Sequence, residues 1–348
     1  MLSDELVFSI DANGYHWCDV VVAAFKRGEW AAAERRTCEG SACVCAAQAS
    51  GSLLPSGALE TAGQDFRYAR ELVTAHSMEQ WLQHKGISAK DWTGHLRREL
   101  HRARHVPPPS FDALAQRYPL DDAEAARLTL IDAICGGALD DWARSLAARV
   151  AANRTSGIVA NGNAHHDCDG AVPSAIAHVL GIDADAWSST SSRIHAVDAA
   201  FEGFRSTQVT DQAVETYISA RQLEWIRFDC RVMGFPEPDM AAEAAMLLRE
   251  DNEGFTGVYR AAHTEPRRAH FLLDSIDAGY RDQFLGAQSG DLVGPMREGD
   301  EFVLYLVERK TLPSTRDRDI RTLAERGVLE HALKHQLDHH VEWHAVLQ

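Results

Sequence analysis

No apolar run in the 348 residues is long enough to span a bilayer. The opening stretch, MLSDELVFSIDANGYHWCDV, lacks the basic start and long apolar core of a secretory leader. Basic residues are in the minority, with 35 Lys and Arg against 51 Asp and Glu, a net charge of −16. That balance argues against nucleic acid or an anionic membrane as the main partner. The local basic cluster Arg97, Arg98, Arg102 and Arg104 reads as a solvated helix face. Cysteine is sparse and odd in number, seven in all, which suits reduced thiols better than a disulfide framework. Together these absences lead to the expectation of a cytoplasmic protein.

What is present is ordinary for a globular chain: 45% hydrophobic and 25% charged residues, with length enough for two or three domains. Residues 5–10 suit a short strand, and residues 18–36 have helical spacing. Residues 38–57 are rich in Cys, Ser, Ala and Gly and read as a loop or broken helix. Residues 65–84 read as one helix with Phe66, Leu72, Met78 and Trp81 on its apolar side, stopped by Gly86. Ser88 with Asp91 three positions on then makes a capping box for the next helix. Val106-Pro107-Pro108-Pro109-Ser110 is the clearest linker. Residues 111–152 read as two helices parted at Cys135-Gly136-Gly137, and residues 153–170 as a loop. Helices are expected over 174–180 and 193–203, parted by the serine-rich 187–192.

Residues 209–218 repeat residues 73–82 without a gap, both reading VT-x-x-small-apolar-E-x-aromatic-aliphatic. Residues 223–233 alternate with a period of two, as a half-buried strand does. A helix is expected over 236–249, a short helix or turn over 251–259, a strand over 268–273 and a helix over 276–287. Residues 317–346 read as one long terminal helix.

Three clusters could hold a metal ion. The row His165, His166, Asp167 and Cys168 is the strongest by composition, although adjacent residues rarely all reach one ion. Cys38, Cys43 and Cys45 offer thiols with no partner cluster at zinc-finger spacing. His331, His335 and His339 share a helical face, with His340 and His344 as a further pair, but no H-E-x-x-H is present. No cofactor is expected from these patterns, with a metal ion as the alternative.

The most telling stretch is QSGDLVGPMREGDEFVLYLVERK, residues 288–310. A short apolar piece stops at Gly294-Pro295, a polar turn ends on Gly299-Asp300, and the run 302–307 reads as a strand buried on both faces. Gly290-Asp291-Leu292-Val293-Gly294-Pro295 resembles the last hairpin of the parvulin-type peptidyl-prolyl isomerase domain, and 299–307 follows it in outline. The string FRYARELVTAHSMEQWLQHKGISAKDWTGHLRREL resembles the N-terminal helices of the SurA-type chaperones. The resemblance implies an α+β fold: a mainly helical SurA-like part with an inserted parvulin-like β-α-α-β-α-β-β domain. The implied organisation is a helical region 1–105, a helical middle region 106–200, a parvulin-like domain 223–310, and segments 201–222 and 311–348 packing with the N-terminal region.

Active parvulins carry one histidine on the first strand, with an Asp or Cys nearby, and one on the last. This chain has Asp229 and Cys230 in the first window and Phe302-Val303 in the second, so both histidines are missing; His263 and His270 lie near in sequence only. Asp229, Cys230, Phe271, Met296, Phe302 and Tyr305 are the candidate peptide-binding residues. The resemblance implies a holder of unfolded or precursor peptide, as a chaperone or as an accessory to a peptide-modifying enzyme. An active prolyl isomerase is the alternative, and a metal-dependent peptide-modifying enzyme is a second one. A second copy of the chain is a further candidate partner.

Overall fold

The computed structural model describes residues 5–52, 54–104, 109–155, 173–250, 258 and 267–347. The chain divides into two compact units, Met1–Arg205 with Ala332–Gln348, and Ser206–His331. The second is thus inserted in the sequence of the first. Among the described residues no helix is long and apolar enough to cross a membrane.

The first unit is helical around a small sheet. Strands β1 (Leu6–Ile10) and β2 (Asn13–His16) form a hairpin, and β7 (Glu342–Trp343) pairs with the other edge of β1. The terminal helix expected over 317–346 therefore ends early, at His340. Beyond it Trp343 sits opposite Phe8, ring centroids 5.5 Å apart, and Val7 O accepts from His344 N and Ala345 N. Sheet hydrogen bonds and burial of Ala345 outweigh the helical continuation there.

Helices α1 (Trp17–Lys26) and α2 (Glu29–Ser50) follow, parted by Gly28 at φ 78°. The loop expected over 38–57 is helix as far as Ser50. Its small residues are a packing seam: a Cβ on Gly40 would lie 2.9 Å from Arg98 Cβ, on α5 (Ala89–Arg104). Small side chains here let two helices close on each other. The helix expected over 65–84 is two, α3 (Ala58–Ala69) and α4 (Ala75–Lys85). Arg67 ends the first by donating to the carbonyls of Leu72 and Val73, and Thr74 begins the second by accepting from Ser77 N at 3.0 Å. Gly86 at φ 66° then closes α4, and the Ser88–Asp91 box opens α5, both as expected.

Three helices, α6 (Pro109–Arg117), α7 (Asp122–Gly136) and α8 (Ala138–Thr155), stand where two were expected, with the break at Gly137 correctly placed. After α9 (Ser174–Leu180), α10 (Ala184–Gln208) runs unbroken through the serine-rich stretch. Ser192 Oγ donates to Ser188 O within the helix, so the hydroxyl is satisfied without breaking it. The core joins Trp17, Trp30, Trp142 and Leu146 to Phe8 and Ala345.

The inserted unit opens with α11 (Asp211–Ala220), whose N-cap Thr210 matches Thr74 in the repeat. Val214 and Ile218 pack on Ile320 and Ala324 of α14 (Arg318–His340). Residues 206–222 and 311–331 thus group with the sheet, rather than with the N-terminal region as expected, because these apolar faces close on each other. Strand β3 (Arg227–Phe235), helix α12 (Pro238–Glu250), strand β4 (Arg267–Leu272), helix α13 (Arg281–Gly286) and strands β5 (Leu292–Glu298) and β6 (Glu301–Thr311) follow. The sheet is antiparallel, in the order β4-β3-β6-β5. The order β-α-β-α-β-β agrees with expectation where described; the second helix expected at 251–259 falls mostly outside the described residues.

Candidate functional site

Strand β3 was read as half-buried, but it is central and buried on both faces. On one face Phe228, Cys230 and Val232 join Val303, Tyr305 and Val307. On the other, Met233 and Phe235 meet Ala241, Ala244 and Ala245 of α12. The polar alternation that suggested a solvated face, Arg227, Asp229 and Arg231, occupies only the end that this cluster leaves free.

The first face is an aromatic block. Phe284 of α13 lies 5.3 Å from both Phe228 and Phe271 and 5.5 Å from Tyr305, with Phe271 5.7 Å from Tyr305. Edge-on contacts of this kind suit aromatic packing better than a flat slot for a guest ring. Phe228 and Phe284 are fully buried and Met296 is 2% exposed. Tyr305 donates its hydroxyl to Glu298. Burial, then that carboxylate, pushes its phenol well above the ordinary value. Cys230 belongs to this block, and its thiol is pushed up to about 12 by burial, with Asp229 and Glu308 adding to it. A thiol held neutral is a poor nucleophile.

Of the six residues singled out by sequence, four converge here: Cys230, Phe271, Met296 and Tyr305. Phe302 does not. It packs on the opposite face, against the cluster of Met233, Phe235 and Leu304, because side chains alternate along β6 and Tyr305 takes the aromatic side. Asp229 also points away from Cys230, for the same reason on β3.

Asp229 organises a different site. Register pairs it with His270 on β4, a residue set aside by sequence as off the family pattern. His270 Nδ1 donates to Asp229 Oδ1 at 2.6 Å, and Arg309 Nε donates to Oδ2 at 2.5 Å. The His270 hydrogen bond, followed by Arg309 against the opposing effect of burial, holds the Asp229 carboxyl below the usual carboxylate range. Asp229 is 7% exposed, whereas the side chains of His270 and Arg309 are 63% and 72% exposed. With Phe271, Arg227 and Asp319 they line a cleft of about 440 Å³. The signal that could have found His270 is the antiparallel pairing of the two predicted strands, which sets Phe228 opposite Phe271 and hence 229 opposite 270.

The hairpin 292–311 forms as expected, with Gly299 at φ 60° in its turn. Gly294 stands at φ 111°, and a Cβ there would lie 2.6 Å from Val303 O, so the Gly-Pro step demands glycine. The Gly294-Pro295 peptide is cis.

His165, His166, Asp167 and Cys168 lie outside the described residues. Among the described residues no group of three or more His, Cys, Asp or Glu side chains could hold a metal ion. The terminal imidazoles are engaged elsewhere: His339 Nδ1 bonds His335 O, and His344 Nε2 bonds Ser9 Oγ. No family model matches the chain, and no curated protein matches it.

Proposed function

We propose that this chain is a peptide-binding chaperone, or an accessory protein for maturation of a precursor peptide, on a parvulin-like sheet that lacks the family's histidines at their usual places. The observation that carries the reading is the edge of β4. Among the described residues no strand pairs with its outer side, so its backbone N–H and C=O groups can take an added extended strand. The adjoining cleft, with Phe271 and the His270–Asp229–Arg309 group, lies where side chains of such a strand can be read. The aromatic block on the first face, with Phe228 and Phe284 fully buried, supports holding rather than a proline cradle. Prolyl isomerisation needs a pocket that takes the proline ring and favours the twisted amide.

The test is fluorescence anisotropy of labelled extended peptides and of an unfolded polypeptide on the full chain. Saturable binding is expected, and an R268P variant, which removes a backbone N–H and fixes φ within β4, should weaken it at least several-fold. Binding by no peptide and by no unfolded polypeptide would sink the reading.

Active isomerisation is the second reading, favoured by the Asp229–His270 pair, which sets an exposed imidazole against a buried carboxylate. A protease-coupled proline-peptide assay separates the two. Background rates are expected; turnover that disappears in H270A or D229N would establish the isomerase instead.

A further inference from the structure

Strand β4 reads Arg-Arg-Ala-His-Phe-Leu and lies at one end of the sheet order, with its outer side unpaired among the described residues. Register with β3 sets Arg268 directly opposite Arg231 and His270 opposite Asp229. Side chains two apart on a strand share a face. Arg268 therefore stands on the same face as His270, and Arg267, Ala269 and Phe271 stand on the other. Like charges directly opposite one another destabilise a strand pair, so two arginines in register need counter-charge.

Carboxylates of the chain supply that charge everywhere but at Arg268. Arg231 lies 2.7 Å from Glu308, Arg227 pairs with Asp317 and Asp319, and Arg309 and His270 pair with Asp229. On the other face Arg267 has Glu298 at 3.7 Å. Arg268 is exposed and has no carboxylate partner among the described residues. Charged side chains on an edge strand discourage indiscriminate pairing, and the same charge makes the edge selective. A basic residue placed opposite Arg268 would set a third cation beside Arg268 and Arg231, whereas a carboxylate there is attracted. Repulsion of the wrong strand then counts as much as attraction of the right one. The net charge of −16 does not cancel this preference. At physiological salt, charges beyond about 8 Å are largely screened, whereas neighbouring strands lie about 5 Å apart.

We propose that the peptide held at β4 is acidic, an extended strand that sets Asp or Glu opposite Arg268. This rests on the strand-addition reading of β4 and names the class of peptide that the edge takes. Residues alternating with the carboxylate fall on the side of Ala269 and Phe271, which pack on the aromatic block, and apolar side chains suit them.

The test is fluorescence anisotropy of the full chain with three labelled hexapeptides that alternate Val with Glu, Gln or Lys. Alternation brings a charged residue opposite Arg268 in every register of the correct phase. The Glu peptide should bind about five-fold tighter than the Gln peptide, and the Lys peptide weakest. In R268E, with folding checked by circular dichroism, the order should reverse. In R268Q, which removes the charge and keeps the backbone, the three should fall within about two-fold of one another. Equal binding of all three to the native chain, tightest binding of the Lys peptide, or an order unchanged in R268Q would overturn the acidic preference and leave strand addition standing. Binding of none of the three overturns strand addition at β4, and the preference with it.

Discussion

The two units each contain an aspartate holding a histidine by Nδ1 and an arginine by its fork, and the two groups differ in what surrounds them. Around Asp132 the side chains of His95 and Arg98 are 9% and 8% exposed. Around Asp229 the partners His270 and Arg309 are largely in water. The same residue types therefore make a rigid internal hub in one place and a solvent-linked surface group in the other. Coulomb attraction alone does not separate them. The cost of leaving a partner unpaired does, since it is large for a buried charge and small for a hydrated one.

Removing the hub should have the largest effect. D132A strands a buried guanidinium and imidazole and is expected to destabilise the chain by about 3–5 kcal/mol. D229A, whose partners return to water, should cost about 1 kcal/mol or less. Urea denaturation of both variants checks the contrast, and equal losses would break it.

The acid limb of stability comes next. Burial alone would raise the Asp132 carboxyl, but hydrogen bonds from His95 and Arg98 outweigh it and hold it below the ordinary value. The Asp229 carboxyl is held low as well. A depressed carboxylate contributes stability that is fully present above its unfolded value, about 4, and is lost as pH falls through the lower folded value. Melting temperature should therefore fall as pH drops below about 4, and the fall should be shallower in D132N than in the native chain.

Thiol reactivity gives a smaller readout. Cys230 and Cys135 are both 1% exposed with thiols pushed up to about 12, chiefly by burial. Both should resist an aromatic disulfide reagent at pH 8 until urea opens the fold, while the half-buried Cys18 and Cys45 react first. Mass-spectrometric mapping of labelled cysteines checks the order. The smallest change is expected in H270A, within about 0.5 kcal/mol of the native stability, because the lost imidazole is largely in water and Arg309 still pairs with the Asp229 carboxylate it leaves behind.

Sequence reading reached furthest where local chemistry decides. Gly86 and Gly137 end their helices, and Ser88 pairs with Asp91, all from contacts within a few residues. The hairpin at Gly299 was equally legible, as were strands near 227–235 and 267–272. It failed where composition mimicked a loop: the small residues of α2 and the serines of α10 are helical because tertiary packing and intrahelical bonds use them. It also missed the pairing of His95, read with the other histidines of its helices as surface or interfacial, with Asp132, since 37 positions separate two residues that only packing unites.

The sequence by itself determined the caps, turns and apolar periods, and so the element types, because those depend on a residue and its near neighbours. Only the tertiary structure decided which face each strand residue takes, parting Phe302 and Asp229 from Cys230 and Tyr305. It alone brought His270 to Asp229 and His95 to Asp132, because pairing register and helix packing are properties of segments far apart in the chain.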